Sequence, residues 1–118
     1  MMNRCLAMLV ALLLAGMAPF ALAHHGWSEY DAGKELTIEG TVVASAYESP
    51  HTVIRLKTGS KTWVAVLAPP FRMEARGLKA DAIKVGLKAT LVGYPNRNKP
   101  EEMRAERIIV DGKTIELR

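Results

Sequence analysis

The chain contains a single cysteine, Cys5, which lies in the apolar segment near the N-terminus. One cysteine cannot form an intramolecular disulfide, and it is lost if that segment is removed as a leader. The remaining chain then has neither a thiolate metal ligand nor a cysteine nucleophile. A domain of this size without disulfides must be stabilised by its hydrophobic core.

A large excess of charge of either sign is also missing. The chain has 16 Lys and Arg against 12 Asp and Glu, and 6% of its residues are aromatic. Binding of single-stranded nucleic acid requires a basic groove with stacking aromatic side chains, so we expect no nucleic-acid partner. The sequence also has no Gly-rich phosphate loop, no His-x-x-x-His pair and no histidine beside a convincing Ser or Cys nucleophile. We therefore predict that the protein is not an enzyme.

Residues 1–23 have the pattern of a secretory signal peptide. A short basic start ends at Arg4, an apolar run covers residues 5–15, and Ala21-Leu22-Ala23 forms a small-residue cleavage site. We expect cleavage before His24 and export to the periplasm, so the leader contacts a membrane only before cleavage. The alternative is an uncleaved anchor, because the apolar stretch is close to the minimum of roughly 18 residues for a membrane span.

The mature chain, residues 24–118, is long enough for one domain. Apolar and polar residues alternate along it in short runs bounded by turn residues, which predicts β-strands. A short helix is predicted to begin near Pro70 and to end at Gly77, and residues 95–102 have the composition of an exposed loop. The predicted strands are 36–44, 52–58, 61–67, 87–94, 104–110 and 113–118.

Three strands, a short helix and then the remaining strands follow the order of an OB-fold, which is a small closed barrel. We predict an all-β protein with one short helix, an OB-fold-like β-barrel of five to six strands preceded by an arm that carries His24 and His25. Barrel closure requires strong coiling of the first strand, and Gly40 within that strand predicts a bulge or a sharp bend. An open sheet with the same strand order would give the same pattern.

Short motifs are distributed along nearly the whole mature chain. They are His24-His25-Gly26-Trp27, Tyr30-Asp31, Gly40-Thr41-Val42, Ser49-Pro50-His51, Trp63, Ala68-Pro69-Pro70, Arg76-Gly77 and Gly93-Tyr94-Pro95. In these motifs the chain resembles the DUF6152 family of small exported proteins, a family without an assigned function. In that family the His-His pair is usually followed by Ser and the Pro-His pair is usually preceded by Asn, whereas this chain has Gly26 and Ser49. The resemblance implies export and a compact, barrel-like β domain.

All three histidines of the chain lie in two of these motifs. Cleavage before His24 creates a free α-amine, and this nitrogen together with the ring Nδ1 of His24 can chelate one metal ion. His51, in the connection between the first two strands, can supply a third nitrogen. In a second arrangement, His25 binds through the amine, the intervening amide nitrogen and its ring. Nitrogen ligands of this kind suit Cu(II), so copper is the predicted metal and His24, His25 and His51 are its candidate ligands. Protons compete for the same nitrogens, so binding should weaken on acidification.

Other side chains near these motifs have simpler interpretations. Trp27 and Tyr30 are predicted to dock the arm onto the barrel, because large aromatic rings gain most from burial, and Trp63 is predicted to lie in the core. Glu29 and Asp31 are either outer partners of a metal-bound histidine or solvated charges. Packing roles are predicted for Met73 and Met103, and a solvated basic face for Arg72, Arg76 and Lys79.

Two functions from different classes remain open. In the first, the protein is a periplasmic copper-binding protein that acts in metal storage, delivery or tolerance. In the second, the histidines belong to a solvated tail and a turn, and the barrel is a metal-free interaction module that presents a loop or a sheet edge to another envelope protein. Copper binding that requires a free terminus at His24 separates the two.

Overall fold

The alternating runs of the sequence form six β-strands. The structure, a computed structural model, describes residues 26–118. Its strands are β1 (Leu36–Ala46), β2 (Val53–Lys57), β3 (Thr62–Val66), β4 (Lys88–Pro95), β5 (Glu102–Val110) and β6 (Lys113–Glu116). The helix α1 (Pro70–Ala75) and the 3-10 helices Trp27–Glu29 and Ala80–Ile83 are the remaining described elements. The predicted signal peptide, its cleavage site, His24 and His25 lie outside the described residues.

The strands form one sheet that closes into a barrel. Their order is β3-β2-β1-β4-β5-β6, and β3 also pairs with β5 in the parallel direction. The closing pairs align Val64 with Glu102 and Val66 with Arg104. Strands β1 to β5 therefore make a closed barrel, and β6 extends it as a hairpin with β5. The predicted all-β, OB-fold-like architecture with one short helix is confirmed. Within residues 26–118, no helix is long and apolar enough to cross a membrane.

Two glycines allow the strands to approach each other more closely than a side chain would permit. A Cβ atom at Gly40 in β1 would collide with the backbone oxygen of Lys57, and one at Gly93 in β4 would collide with that of Arg104. The first half of β1 pairs with β4 and its second half with β2, with a register shift just after Val42. The strand is long, and its irregularity in register lies beyond Gly40, between Val42 and Ala44.

Inward-facing residues from several strands form one hydrophobic core. Ile54 and Leu56 of β2 are fully buried, while Arg55 between them is exposed. Met73 of α1 and Met103 of β5 are fully buried in the same cluster. Both methionines therefore have the packing role predicted for them.

Long-range contacts shift two features away from the sequence prediction. The strand β5 begins at Glu102, two residues before its predicted start, because its first residues pair with β3 where the barrel closes. The predicted core residue Trp63 is only partly buried. Its indole packs against the core from outside, and the Lys61 ammonium lies 3.6 Å from the ring centroid.

Candidate functional site

The described part of the N-terminal arm, residues 26–35, is docked onto the barrel. The backbone amide of Asp31 donates to the Pro95 carbonyl at 2.9 Å, and the amide of Arg97 donates to the Glu29 carbonyl at 2.9 Å. Tyr30 is 5% exposed and forms a β-bridge with Asn96. These contacts fix the arm against the β4–β5 connection, residues 96–101.

A buried hydrogen-bond network anchors Tyr30. Its hydroxyl donates to Oε2 of Glu102 at 2.8 Å, and the Asn96 side-chain amide donates to the same oxygen at 2.9 Å. Burial raises the pKa of the Tyr30 hydroxyl well above its usual value, and the hydrogen bond to Glu102 raises it further. Tyr30 therefore stays protonated and holds the arm as a hydrogen-bond donor.

Trp27 forms the second anchor of the arm. The guanidinium carbon of Arg104 lies 4.4 Å from the Trp27 ring centroid, and that of Arg118 lies 4.5 Å from it. The Tyr94 ring meets the indole edge to face, with centroids 6.2 Å apart. Cations over an aromatic face are attracted by its negative quadrupole. Both aromatic residues of the arm dock onto the barrel, as predicted.

His51 lies in the β1–β2 connection, residues 47–52, and faces β5. Its Nε2 is 3.3 Å from Nη2 of Arg104. A guanidinium can only donate hydrogen bonds, so Nε2 of His51 is the acceptor and carries a lone pair rather than a proton. The sequence places these two residues 53 positions apart, and the barrel brings them into contact.

A cavity of about 420 Å³ lies beside this pair. Its walls come from the arm, the β1–β2 connection, the β4–β5 connection and the adjacent ends of β2, β3 and β5. Gly26, the first described residue, lines the same cavity as His51. The other polar residues of the lining are Glu29, Tyr30, Lys99, Glu102 and Arg104.

The charged residues around this cavity differ in how they are paired. Glu102 accepts the two hydrogen bonds described above, and its other carboxylate oxygen lies 4.0 Å from Nζ of Lys99. Arg104 has no carboxylate oxygen within 4.0 Å among residues 26–118. Its pKa is lowered, chiefly by burial and also by the charges of Arg72 and Arg118.

The described residues alone do not form a metal site. Within residues 26–118 there is no group of three or more His, Cys, Asp or Glu side chains that could hold a metal ion. Of the three candidate ligands, His51 lines the cavity, while His24 and His25 lie outside the described residues. Glu29 also lines the cavity, whereas Asp31 accepts a hydrogen bond from the Gly33 amide at 3.0 Å and shapes the turn there.

The predicted basic face on α1 has a different role in the structure. Arg72 donates to the Leu117 carbonyl at 3.3 Å, and Arg76 donates to the Glu116 and Arg118 carbonyls at 2.6 and 3.2 Å. The two side chains tie the C-terminal residues to the helix rather than facing solvent alone. This contact also positions Arg118 over Trp27.

Sequence reasoning missed Arg104 and Glu102 as site residues. Strand periodicity could have placed both on the outer face of β5, because Met103 and Ala105 beside them are buried. The sequence carries no signal that this face meets Trp27, Tyr30 and His51, since those contacts depend on how the arm and the barrel seam are arranged.

The comparison with known families agrees with these motifs. A family model described as a family of unknown function, DUF6152, matches residues 11–103, which is more than half of the chain. The chain belongs to this family. The DUF6152 match includes the arm, the β1–β2 connection with His51 and the β4–β5 connection, and it ends one residue before Arg104. No curated protein matches the chain.

Proposed function

We propose that this DUF6152 protein is exported to the periplasm and binds copper through its mature N-terminus. Cleavage before His24 creates an α-amine that chelates Cu(II) together with the His24 ring, and His51 supplies a further nitrogen. His25 is the alternative ligand on the arm. The basic start, the apolar run and the Ala-Leu-Ala site support export.

The observation that carries the proposal is that Gly26 and His51 line one cavity. His24 precedes Gly26 by two residues, and two residues of extended chain span about 7 Å. The new terminus is therefore tethered close to the cavity that contains the His51 ring. Because Gly26 and His51 already line one cavity, a site that uses the terminus and the His51 ring needs no rearrangement of the barrel.

The state of His51 also suits a metal ligand. Metal ions bind the unprotonated nitrogen of imidazole, and the contact with Arg104 identifies Nε2 as unprotonated. Copper that binds through Nε2 has to replace Arg104 at this lone pair. The Arg104 guanidinium thus competes with copper for this nitrogen. When copper displaces it, the guanidinium can keep its contact with the Trp27 ring.

The anchored arm lowers the entropy lost on binding. Tyr30 and Trp27 already fix the chain a few residues from the proposed ligands, so fewer residues have to be ordered when copper binds. The nitrogen ligands favour Cu(II) among the common divalent metals. The predicted mature chain has no thiol that the metal could oxidise.

The test compares mature protein that begins at His24 with the same protein in which the α-amine of His24 is acetylated. Loss of an outer partner of a metal ligand costs about 10–100-fold in affinity, so loss of the chelating amine should cost at least about 100-fold. We expect one equivalent of Cu(II) to bind the native terminus tightly and the acetylated terminus weakly. Equal affinity would contradict the proposal and favour the metal-free interaction module.

A further inference from the structure

Arg104 is a half-buried cation for which the described part of the chain supplies no matching anion. Its Nη2 donates to the neutral nitrogen of His51, and its Nε is buried without a hydrogen-bond partner among residues 26–118. Within the described residues, no carboxylate oxygen lies within 4.0 Å of its guanidinium. A buried charge without an ion partner is costly, so the structure holds Arg104 in a state that an anion would stabilise.

The other charges near Arg104 leave its positive charge largely unbalanced. Arg72 and Arg118 are close enough to disfavour its charged form, and Lys99 lines the same cavity. The carboxylate of Glu102 is occupied by its hydrogen bonds from Tyr30 and Asn96. Glu29 favours the charged form of Arg104, but its effect on the Arg104 pKa is small compared with that of burial.

The guanidinium is held in a fixed orientation. It lies over the Trp27 indole, and the indole also contacts the Tyr94 ring and the Arg118 guanidinium. A planar guanidinium presents its N–H groups as a rigid fork that matches the two oxygens of a carboxylate. Little side-chain freedom is left to be lost when such a ligand binds.

The cavity beside Arg104 has room and apolar walls for a small organic molecule. Its volume of about 420 Å³ falls within the range of roughly 300–1,000 Å³ that is typical of ligand pockets. Val53 and Val66 lie in the lining on the barrel side, together with Pro50. A ligand with one acidic end and a short hydrocarbon part could contact the Arg104 guanidinium with the first and the apolar walls with the second.

We propose that this cavity binds a small organic carboxylate, with its carboxylate group on Arg104 and its hydrocarbon part against Val53 and Val66. Anion binding does not require copper, because the anion binds to the guanidinium and the metal to the nitrogen of His51, although the contact between these two side chains couples the two sites.

The experiment uses metal-free mature protein that carries Trp63→Phe, so that Trp27 is the only tryptophan. Trp27 fluorescence is followed while acetate, butyrate or phosphate is added at constant ionic strength. We expect saturable binding of the carboxylates, tighter for butyrate than for acetate because it buries more apolar surface. Phosphate should bind more weakly than either. Equal binding of phosphate would show a general anion site and overturn the assignment to carboxylates.

Variants of Arg104 identify the binding group. Arg104→Met removes the charge and the donors while keeping an unbranched stem, and it should weaken butyrate binding about tenfold or more. Arg104→Lys keeps the charge without the planar fork and should also weaken it. Lys61→Gln removes a cation that does not line this cavity and should leave the affinity unchanged. Unchanged affinity in Arg104→Met would overturn the proposal.

A measurement on the protein without an Arg104 substitution covers the case in which these variants do not fold. Butyrate should shift the NMR signals of the His51 ring, because its contact with Arg104 changes when the guanidinium binds an anion. The absence of both this shift and a saturable fluorescence change at high millimolar butyrate would overturn the proposal. Neither result bears on copper binding, since no metal is present.

Discussion

Nη2 of Arg104 lies 3.3 Å from Nε2 of His51 and can only donate to it. The lone pair that a metal ion would use is therefore occupied by a cation of the protein itself. This contact makes the affinity of the proposed copper site depend on a residue that is not a ligand, and it joins the two proposed sites of the cavity.

Replacing Arg104 with Met should raise the affinity of the mature protein for Cu(II). The substitution frees the His51 nitrogen and removes a positive charge next to the metal. A hydrogen bond to a charged group contributes about 1.5–3 kcal/mol, so we expect an increase of at least about tenfold. The dissociation constant is measured by competition with a chelator, and Lys61→Gln is the control for loss of one charge. A lower affinity in Arg104→Met would show that the guanidinium supports the metal instead of competing with it.

Copper and a carboxylate should strengthen each other's binding. When the anion neutralises Arg104, the guanidinium competes less for His51, and coupling between two ligands is reciprocal. We expect butyrate to lower the dissociation constant for Cu(II), and copper to lower that for butyrate by the same factor. Arg104→Met should abolish the coupling. A dissociation constant for Cu(II) that butyrate leaves unchanged or raises would contradict the competition between copper and Arg104.

Tyr30→Phe should destabilise the docked arm. The substitution removes the buried hydrogen bond to Glu102, which should lower the free energy of unfolding by about 1–3 kcal/mol because the carboxylate loses a partner. Urea denaturation measures this loss, and hydrogen exchange at the Asp31 amide reports on the arm itself. Tyr94→Phe, which removes the more exposed hydrogen bond to Glu106, serves as the matched control and should have a smaller effect. An equal effect of the two substitutions would contradict the role of Tyr30 as the main anchor.

The same tyrosine predicts a dependence of stability on pH. The pKa of Tyr30 is raised in the folded state, first by burial and then by Glu102. Its contribution to stability is therefore fully present below the unfolded pKa of about 10 and is lost as the pH rises through the higher folded value. We expect the free energy of unfolding to fall above about pH 10, and to fall less steeply in Tyr30→Phe. Identical slopes would mean that Tyr30 does not carry this dependence.

The close approach of the barrel strands predicts which glycines tolerate a side chain. Gly93→Ala and Gly40→Ala should each destabilise the protein by at least about 3 kcal/mol, because the new methyl group meets backbone atoms that cannot move away easily. Gly59→Ala is the matched control, since a Cβ atom there has no atom of the described residues within 4 Å. Its free energy of unfolding should change by less than about 1 kcal/mol. Comparable stability of all three variants in urea would contradict the close approach of β1 to β2 and of β4 to β5.

The fold could be predicted from the sequence because its signals are local. Ile54 and Leu56 alternate with exposed residues along β2, and such alternation identifies a strand whatever its partners are. The sequence places the start of β5 at Arg104 instead of Glu102, because Glu102 belongs to the strand only through its pairing with Val64 of β3, where the barrel closes. No local pattern contains that contact.

The candidate site could be predicted only in part, for the same physical reason. His51 is recognisable as one of three histidines in the chain, and the aromatic residues of the arm are recognisable as groups that should be buried. The contact of His51 with Arg104 and that of Trp27 with Arg104 and Arg118 depend on barrel closure and on the docked C-terminus. They determine the charge and the chemistry of the cavity.

The central claim is that the new α-amine and the His51 ring bind one copper ion. The most direct measurement is the Cu(II) dissociation constant of four proteins: the native terminus and the acetylated terminus, each with His51 or with His51→Ala. We predict that each single change weakens binding and that the combined effect departs from the product of the two by at least about fivefold, as expected for ligands of one ion. Unchanged copper affinity of His51→Ala with the native terminus would contradict the claim.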